Sequence, residues 1–150
     1  MKVKKLAISI LIPVLLGVAA AVISRSGMED FNFLTKPPLS PPPILFPIVW
    51  TVLYTLMGIS AYRIHEKAPK SSALAVYGLQ LAFNFFWSLI FFNANRYLFA
   101  FVWLVALWLL IIVMIVKFYK IDKVSAYLQI PYLLWVTFAG YLNYAIYVLN

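Results

Sequence analysis

Five long stretches almost free of charge divide this chain, and no other feature limits its fold so tightly. They cover roughly residues 6–24, 45–62, 73–93, 97–116 and 126–148. A helix needs about 20 mainly apolar residues to cross a hydrocarbon core of roughly 30 Å. Each stretch meets or closely approaches that length, and in lipid the backbone must satisfy its own polar groups within helices or closed barrels. With 65% of 150 residues hydrophobic and 11% charged, a soluble domain of this size could not hide its apolar surface. The chain therefore reads as an all-α membrane protein, a single domain over residues 1–150 built as a five-helix transmembrane bundle.

The first stretch follows Lys2, Lys4 and Lys5, as the core of a secretory signal would. Its apolar run is longer than a signal core and no short small-residue cleavage site closes it, so retention as a span is expected. Cysteine is absent, which removes disulfides and thiolate metal sites from consideration. The net charge of +8 would suit nucleic acid until the charges are placed. With five spans, nine basic residues share one side: Lys2, Lys4, Lys5, Arg63, Lys67, Lys70, Lys117, Lys120 and Lys123. Arg25, Lys36 and Arg96 are the three on the other side. That asymmetry predicts a cytoplasmic N-terminus and an external C-terminus. The charge is topological, so the expected partner is membrane lipid and not nucleic acid. Short length and a strong charge bias point to a bacterial cytoplasmic membrane.

The external side carries one long loop, 25–44, which ends in KPPLSPPPILFP. Consecutive prolines favour an extended, stiff backbone without internal hydrogen bonds, and such a segment loses little entropy when it packs over something. Beneath it, Pro47, Trp50, Tyr54, Met57 and Ala61 form one stripe of the second stretch. Gln80, Asn84 and Ser88 give the third stretch a polar face. Pro131, Trp135, Phe138, Ala139, Leu142 and Ile146 line the fifth, with Asn143 at the edge, while the first offers Gly17, Ala20, Ala21 and Ser24. The fourth has no Asn, Gln, Ser or Thr between Tyr97 and Lys117 and is expected to face lipid most. At 1.5 Å per residue, Trp50 lies about 8 Å, Asn84 about 14 Å and Trp135 about 18 Å below the outer helix ends. The pattern predicts a pocket under a stiff cover. It competes with a plainer reading, in which the amides bridge helices and tryptophans anchor the interface.

The same residues resemble a known family. Lys36-Pro37, Pro41-Pro42, Phe46, Trp50-Thr51, Leu53-Tyr54 and Met57-Gly58 are similar to the signature of the tryptophan-rich sensory protein family, TspO or translocator protein, also called the peripheral benzodiazepine receptor. QLAFNFFWSLIFF (80–92) resembles its third-helix motif, and PYLLWVTFAGYLNYAIYVLN (131–150) its fifth. The resemblance implies a five-helix bundle, commonly a homodimer, that binds porphyrins such as protoporphyrin IX and isoquinoline or benzodiazepine-type ligands. The implied pocket lies between the first, second, third and fifth helices. Its expected contacts are Ala20, Pro41, Phe46, Trp50, Tyr54, Gln80, Asn84, Trp87, Ser88, Trp135, Phe138, Ala139 and Asn143. Some bacterial members are reported to promote light- and oxygen-dependent porphyrin breakdown, a role that would fall to Trp50 and Trp135. Porphyrin would then be ligand or substrate, with molecular oxygen and light as the further needs and no required cofactor. Two departures stand out. Leu39 replaces a tryptophan that many relatives carry in the proline loop, and no basic residue follows Tyr144 or Tyr147, which breaks the sterol motif of animal members.

Three functions compete: a binding and sensing protein, a porphyrin-degrading enzyme, and an uncoupled carrier of tetrapyrroles or other hydrophobic molecules. No acid–base pair or metal constellation is evident, and the single histidine, His65, falls in a cytoplasmic loop. Coupled transport would need an ionisable group inside the membrane, which the stretches lack. Gly78 and Ala82 form a small pair that lets helices approach closely, about 200° around the helix from Gln80 and Asn84 at 3.6 residues per turn. That face is the expected dimer contact.

Overall fold

The computed structural model describes residues 2–150, and helices dominate it. They are α1 (Lys2–Ile23), α2 (Arg25–Phe31), α3 (Leu45–Lys67), α4 (Ser72–Ser88), α5 (Tyr97–Ile121), α6 (Lys123–Leu128) and α7 (Ile130–Leu149), with a π-helical turn, Leu89–Asn93, extending α4. Five bodies are long and apolar enough to cross a membrane: α1, α3, α4 with its π turn, α5, and α6 continued by α7. The architecture is thus the expected all-α, five-span bundle.

Local chemistry sets the boundaries. The Ser71 hydroxyl accepts from the Ala73 amide (3.1 Å) and starts α4. Asp122 does the same for Ser125 (3.2 Å) and starts α6. A side-chain oxygen in that position satisfies one of the orphan amides of a first turn. Pro131 lies in the first turn of α7, where a missing N–H costs nothing. The fifth span is therefore two helices broken at Gln129 and not one run over 126–148. Asn95 adopts φ 52° between the π turn and α5, a conformation asparagine tolerates better than most residues. α3 continues beyond residue 62 through Arg63, His65, Glu66 and Lys67, so His65 lies on a helix and not in a loop.

The loop 25–44 also differs from the extended strap expected. Its first third is α2, and its proline segment bends at Leu39, which has φ 71°. The Ser40 hydroxyl closes that bend on the Pro37 carbonyl (2.8 Å). α2 survives despite its polar sequence because it lies directly on the π turn. A Cβ on Gly27 would collide with the Phe92 carbonyl oxygen and come within 2.9 Å of the Phe92 Cβ. Phe31 packs edge-on against Phe92 (5.8 Å between centroids), and Asn93 Nδ2 donates to the Ile23 carbonyl (3.2 Å).

α1 packs along α3, while α5 packs against both α4 and α7. The main core joins Leu53–Ile64 of α3, the first half of α4, Leu104–Phe118 of α5, Tyr132 and Val136. These positions lie toward the end that carries Lys67, Lys117 and Lys123, here called the basic end. A smaller cluster of Phe91, Ala100 and Ile146 lies toward the opposite, strap end. α5 buries six residues and α1 only Pro13 and Ala20. The expectation that the fourth span faces lipid most is overturned: α1 does. In a bilayer both the bundle interior and its surroundings are apolar, so a lack of polar residues does not mark a lipid face.

At the basic end Asp122 accepts from Arg63 Nε (2.7 Å) and Lys67 Nζ (2.7 Å), and from the Ser125 hydroxyl (2.6 Å). The hydrogen bond from Arg63, then those from Lys67 and Ser125, hold its carboxyl well below the ordinary 3.8 against the opposing effect of burial.

Candidate ligand-binding site

Toward the strap end the helices part and leave a cavity of about 540 Å³, within the roughly 300–1,000 Å³ typical of small-molecule sites. Small side chains open it. α1 contributes Val14, Gly17, Ala20 and Ala21, and α7 contributes Ala139. Aromatic rings line the rest: Phe46, Trp50 and Tyr54 from α3, Trp87 from α4, Phe91 and Phe92 from the π turn, and Trp135 from α7. Met28, Phe31 and Asn32 from α2 and its end, together with Pro43 and Pro47, complete the upper wall, with exposed Arg25 and Glu29 at the rim.

The rings hold one another in place. Trp50 stacks on Tyr54 (5.4 Å, 26°) and meets Tyr132 edge-on (6.3 Å, 70°). Trp135 meets Phe46 edge-on (5.9 Å). Such arrangements suit the ring quadrupole. Trp87 Nε1 donates to Asn143 Oδ1 (3.0 Å), and Asn143 Nδ2 donates to the Tyr97 carbonyl (2.9 Å). Trp103 Nε1 donates to the Phe83 carbonyl (2.8 Å) and Trp108 Nε1 to Thr137 Oγ1 (2.9 Å). The indole N–H groups of Trp50 and Trp135 make no such bond among the described residues.

A hydrogen-bonded floor closes the cavity toward the basic end. Tyr54 Oη donates to Asn84 Oδ1 (3.1 Å), Asn84 Nδ2 to Tyr132 Oη (2.8 Å), and Tyr132 Oη to Gln80 Oε1 (2.6 Å). The cover is latched from α7. Tyr141 Oη donates to the Pro38 carbonyl (2.8 Å), while the Asn150 side-chain amide accepts from Thr35 N (3.1 Å) and donates to Thr35 O (2.9 Å).

Nine of the residues singled out in sequence therefore meet on the cavity wall: Ala20, Phe46, Trp50, Tyr54, Trp87, Ser88, Trp135, Ala139 and Asn143. Four do not. Gln80 and Asn84 lie in the floor below, Phe138 packs behind Trp135 (5.6 Å), and Pro43 and Pro47, not Pro41, reach the cavity. Sequence reasoning missed α2 and the aromatic pair Phe91 and Phe92 as wall elements, although both phenylalanines fall inside the third-helix motif. A shallower groove of about 330 Å³ between α5 and α7 offers little to orient a ligand. Its Thr137 hydroxyl already accepts from Trp108 and donates to the Leu133 carbonyl (2.8 Å).

Residues 9–149 match the TspO/MBR family. Protein CrtK of Rhodobacter capsulatus is 38% identical over 138 residues, covering 89% of this chain and 85% of the relative. The tryptophan-rich protein TspO of Archaeoglobus fulgidus is 37% identical over 153 residues, covering 100% and 99%. The human translocator protein is 30% identical over 135 residues, covering 87% and 80%. Nearly the whole chain takes part in each similarity, and the aromatic cavity and all of the spans but the first turns of α1 fall inside residues 9–149. This integral membrane protein belongs to the TspO/MBR family.

Proposed function

We propose that this chain is a membrane receptor or sensor whose cavity binds flat, largely apolar ring molecules of the porphyrin class, and isoquinoline or benzodiazepine-type ligands of similar shape. One observation carries the reading: two indoles, Trp50 and Trp135, line a cavity of about 540 Å³, and their N–H groups make no hydrogen bond among the described residues. Their faces supply stacking area, their N–H groups seek acceptors on a ligand, and the small residues of α1 and α7 leave room for a planar body. The closed floor favours binding over passage. An uncoupled carrier would have to break the Tyr54–Asn84–Tyr132–Gln80 bonds to move its cargo onward. The charge asymmetry orients the strap end outward in a bacterial cytoplasmic membrane; labelling of a cysteine at Ser71 by an impermeant reagent in intact cells would reverse that orientation.

The same indoles support light- and oxygen-dependent breakdown of a bound porphyrin, since tryptophan gives up an electron far more readily than phenylalanine. The test is fluorescence titration with protoporphyrin IX beside timed illumination at saturating porphyrin, with and without oxygen. Trp50→Phe and Trp135→Phe keep an aromatic face, so affinity falls by only about 0.5–1.5 kcal/mol, the scale of an aromatic pair or one hydrogen bond. Breakdown in the same variants largely stops. Equal breakdown in wild type and both variants would leave binding alone, and absence of saturable binding in the wild type would remove the porphyrin reading altogether.

A further inference from the structure

Immediately below the cavity floor, toward the basic end, lies a layer of polar groups that the floor does not use. α4 and α7 both run from the basic end to the strap end, and they meet through Tyr132 Oη, which donates to Gln80 Oε1 (2.6 Å). Three residues nearer the basic end on each side stand Tyr77 and Gln129. At 1.5 Å per residue, each lies about 4.5 Å along its own chain from the hydrogen-bonded pair, and on both helices that step leads toward the basic end. Gln129 and Gln80 are fully buried and Tyr77 is 8% exposed. Yet the Tyr77 hydroxyl, Gln80 Nε2 and both amide atoms of Gln129 have no hydrogen-bond partner among the described residues.

Four unpartnered polar atoms, on one turn of α4 and on the junction of α6 with α7, are not a packing solution in a membrane bundle. A leucine or phenylalanine would fill the same space without the desolvation penalty, and buried polar atoms in folded proteins are almost always satisfied by protein or by ordered water. These four also offer both donors and acceptors, which is what a water molecule requires. Nearer the basic end the polar groups continue. The Ser60 hydroxyl donates to the Ser125 carbonyl (2.8 Å), Ser125 bonds Asp122, and Asp122 meets Arg63 and Lys67, whose side chains are 38% and 52% exposed.

We propose that Tyr77, Gln80 and Gln129 form a built water site, holding two or more water molecules that enter from the Asp122 end. The waters complete a hydrogen-bonded file from Tyr54 at the cavity floor, through Asn84, Tyr132 and Gln80, to the basic end. The hydroxyl at the floor thus stays connected to solvent even when a ligand fills the cavity above.

The experiment is pulsed radiolytic hydroxyl labelling of the full chain in lipid nanodiscs prepared in ¹⁸O-water, read residue by residue by mass spectrometry. Tyr77 and Tyr132 should label about tenfold faster than Met114, which is fully buried on α5. Gln129→Leu combined with Tyr77→Phe should bring Tyr132 down to the Met114 rate, while Gln129→Asn, which keeps an amide, should restore most of the labelling. Wild-type Tyr77 and Tyr132 labelling no faster than Met114 would overturn the proposal, and so would unchanged Tyr132 labelling in the apolar variant. If the apolar variant does not fold, the wild-type comparison and Gln129→Asn still decide the matter.

Discussion

Gly58→Ala should loosen α1 from the bundle, because α1 is held by the close approach of two backbones. A Cβ at Gly58 would lie 2.7 Å from the Ser9 carbonyl oxygen and 2.8 Å from the Ile10 nitrogen, and would collide with the Ile10 Cα. Carbon atoms settle about 3.5–4.0 Å apart, so α1 and α3 must separate by roughly 1 Å. The helix backbones cannot yield as a flexible side chain would. Separation also stretches the bond from the Ser9 hydroxyl to the Gly58 carbonyl, now 2.7 Å. Overpacking of this kind costs about 1–3 kcal/mol and the weakened hydrogen bond about 0.5–1.5 kcal/mol. The better helix propensity of alanine returns up to about 1 kcal/mol, for a net loss of about 1–3 kcal/mol. Gly78→Ala is the matched control, since a Cβ there meets nothing within 4 Å, and it should be neutral or slightly stabilising. Reversible unfolding in mixed micelles measures both. Ligand affinity should fall with stability in Gly58→Ala alone, because α1 forms one wall of the cavity. If Gly58→Ala unfolds at the same denaturant concentration as Gly78→Ala, the backbone contact does not hold α1.

The latch on the cover should govern ligand escape. Tyr141→Phe and Asn150→Ala each remove hydrogen bonds worth about 1 kcal/mol and should raise the porphyrin off-rate roughly fivefold in stopped-flow fluorescence, with little change in on-rate. Asp122, whose carboxyl lies below its ordinary range, contributes stability that is fully present above its ordinary value of 3.8. That contribution is lost as pH falls through and below that value. Unfolding curves should therefore be flat from pH 7 to about 5 and decline below about 4, whereas Asp122→Asn should be less stable at pH 7 and flatter in acid. Gly78 and Ala82 both lie on the exposed face of α4, and Gly78→Leu should weaken a homodimer in lipid, read as a lower cross-linked fraction at fixed protein-to-lipid ratio.

The spans were legible in sequence because hydropathy reports length directly, and their ends were not. α3 runs on through Arg63–Lys67 because charged residues with good helix propensity continue a helix past the membrane edge. α2 was invisible: RSGMEDF has no apolar periodicity, and it holds as a helix through Gly27 resting on the Phe92 backbone. The break at Gln129 did leave a mark, Pro131 in the first turn of α7, but the apolar residues on both sides make the stretch read as one continuous span. Leu39 gave no sign of a bend, because left-handed backbone is rarely assigned to leucine.

The site was half legible, and the division has a physical cause. Tryptophans too deep for the interfacial belt, Trp135 above all, stood out because water could not explain them. The amides stood out equally, yet Gln80 and Asn84 lie behind the wall. A polar side chain in a bilayer must first satisfy itself, and the nearest partner is usually another side chain on a facing helix. Asn84 spends its carbonyl on Tyr54 and an amide hydrogen on Tyr132. Sequence spacing cannot pair residues 30 and 48 positions apart, so amides that would read as ligand contacts become the floor. The small residues, Gly17, Ala20 and Ala139, carry the opposite signal: in a membrane helix they either let a neighbour approach or leave room for something else. At Gly58 the neighbour is the α1 backbone. At Ala20 and Ala139 it is the cavity.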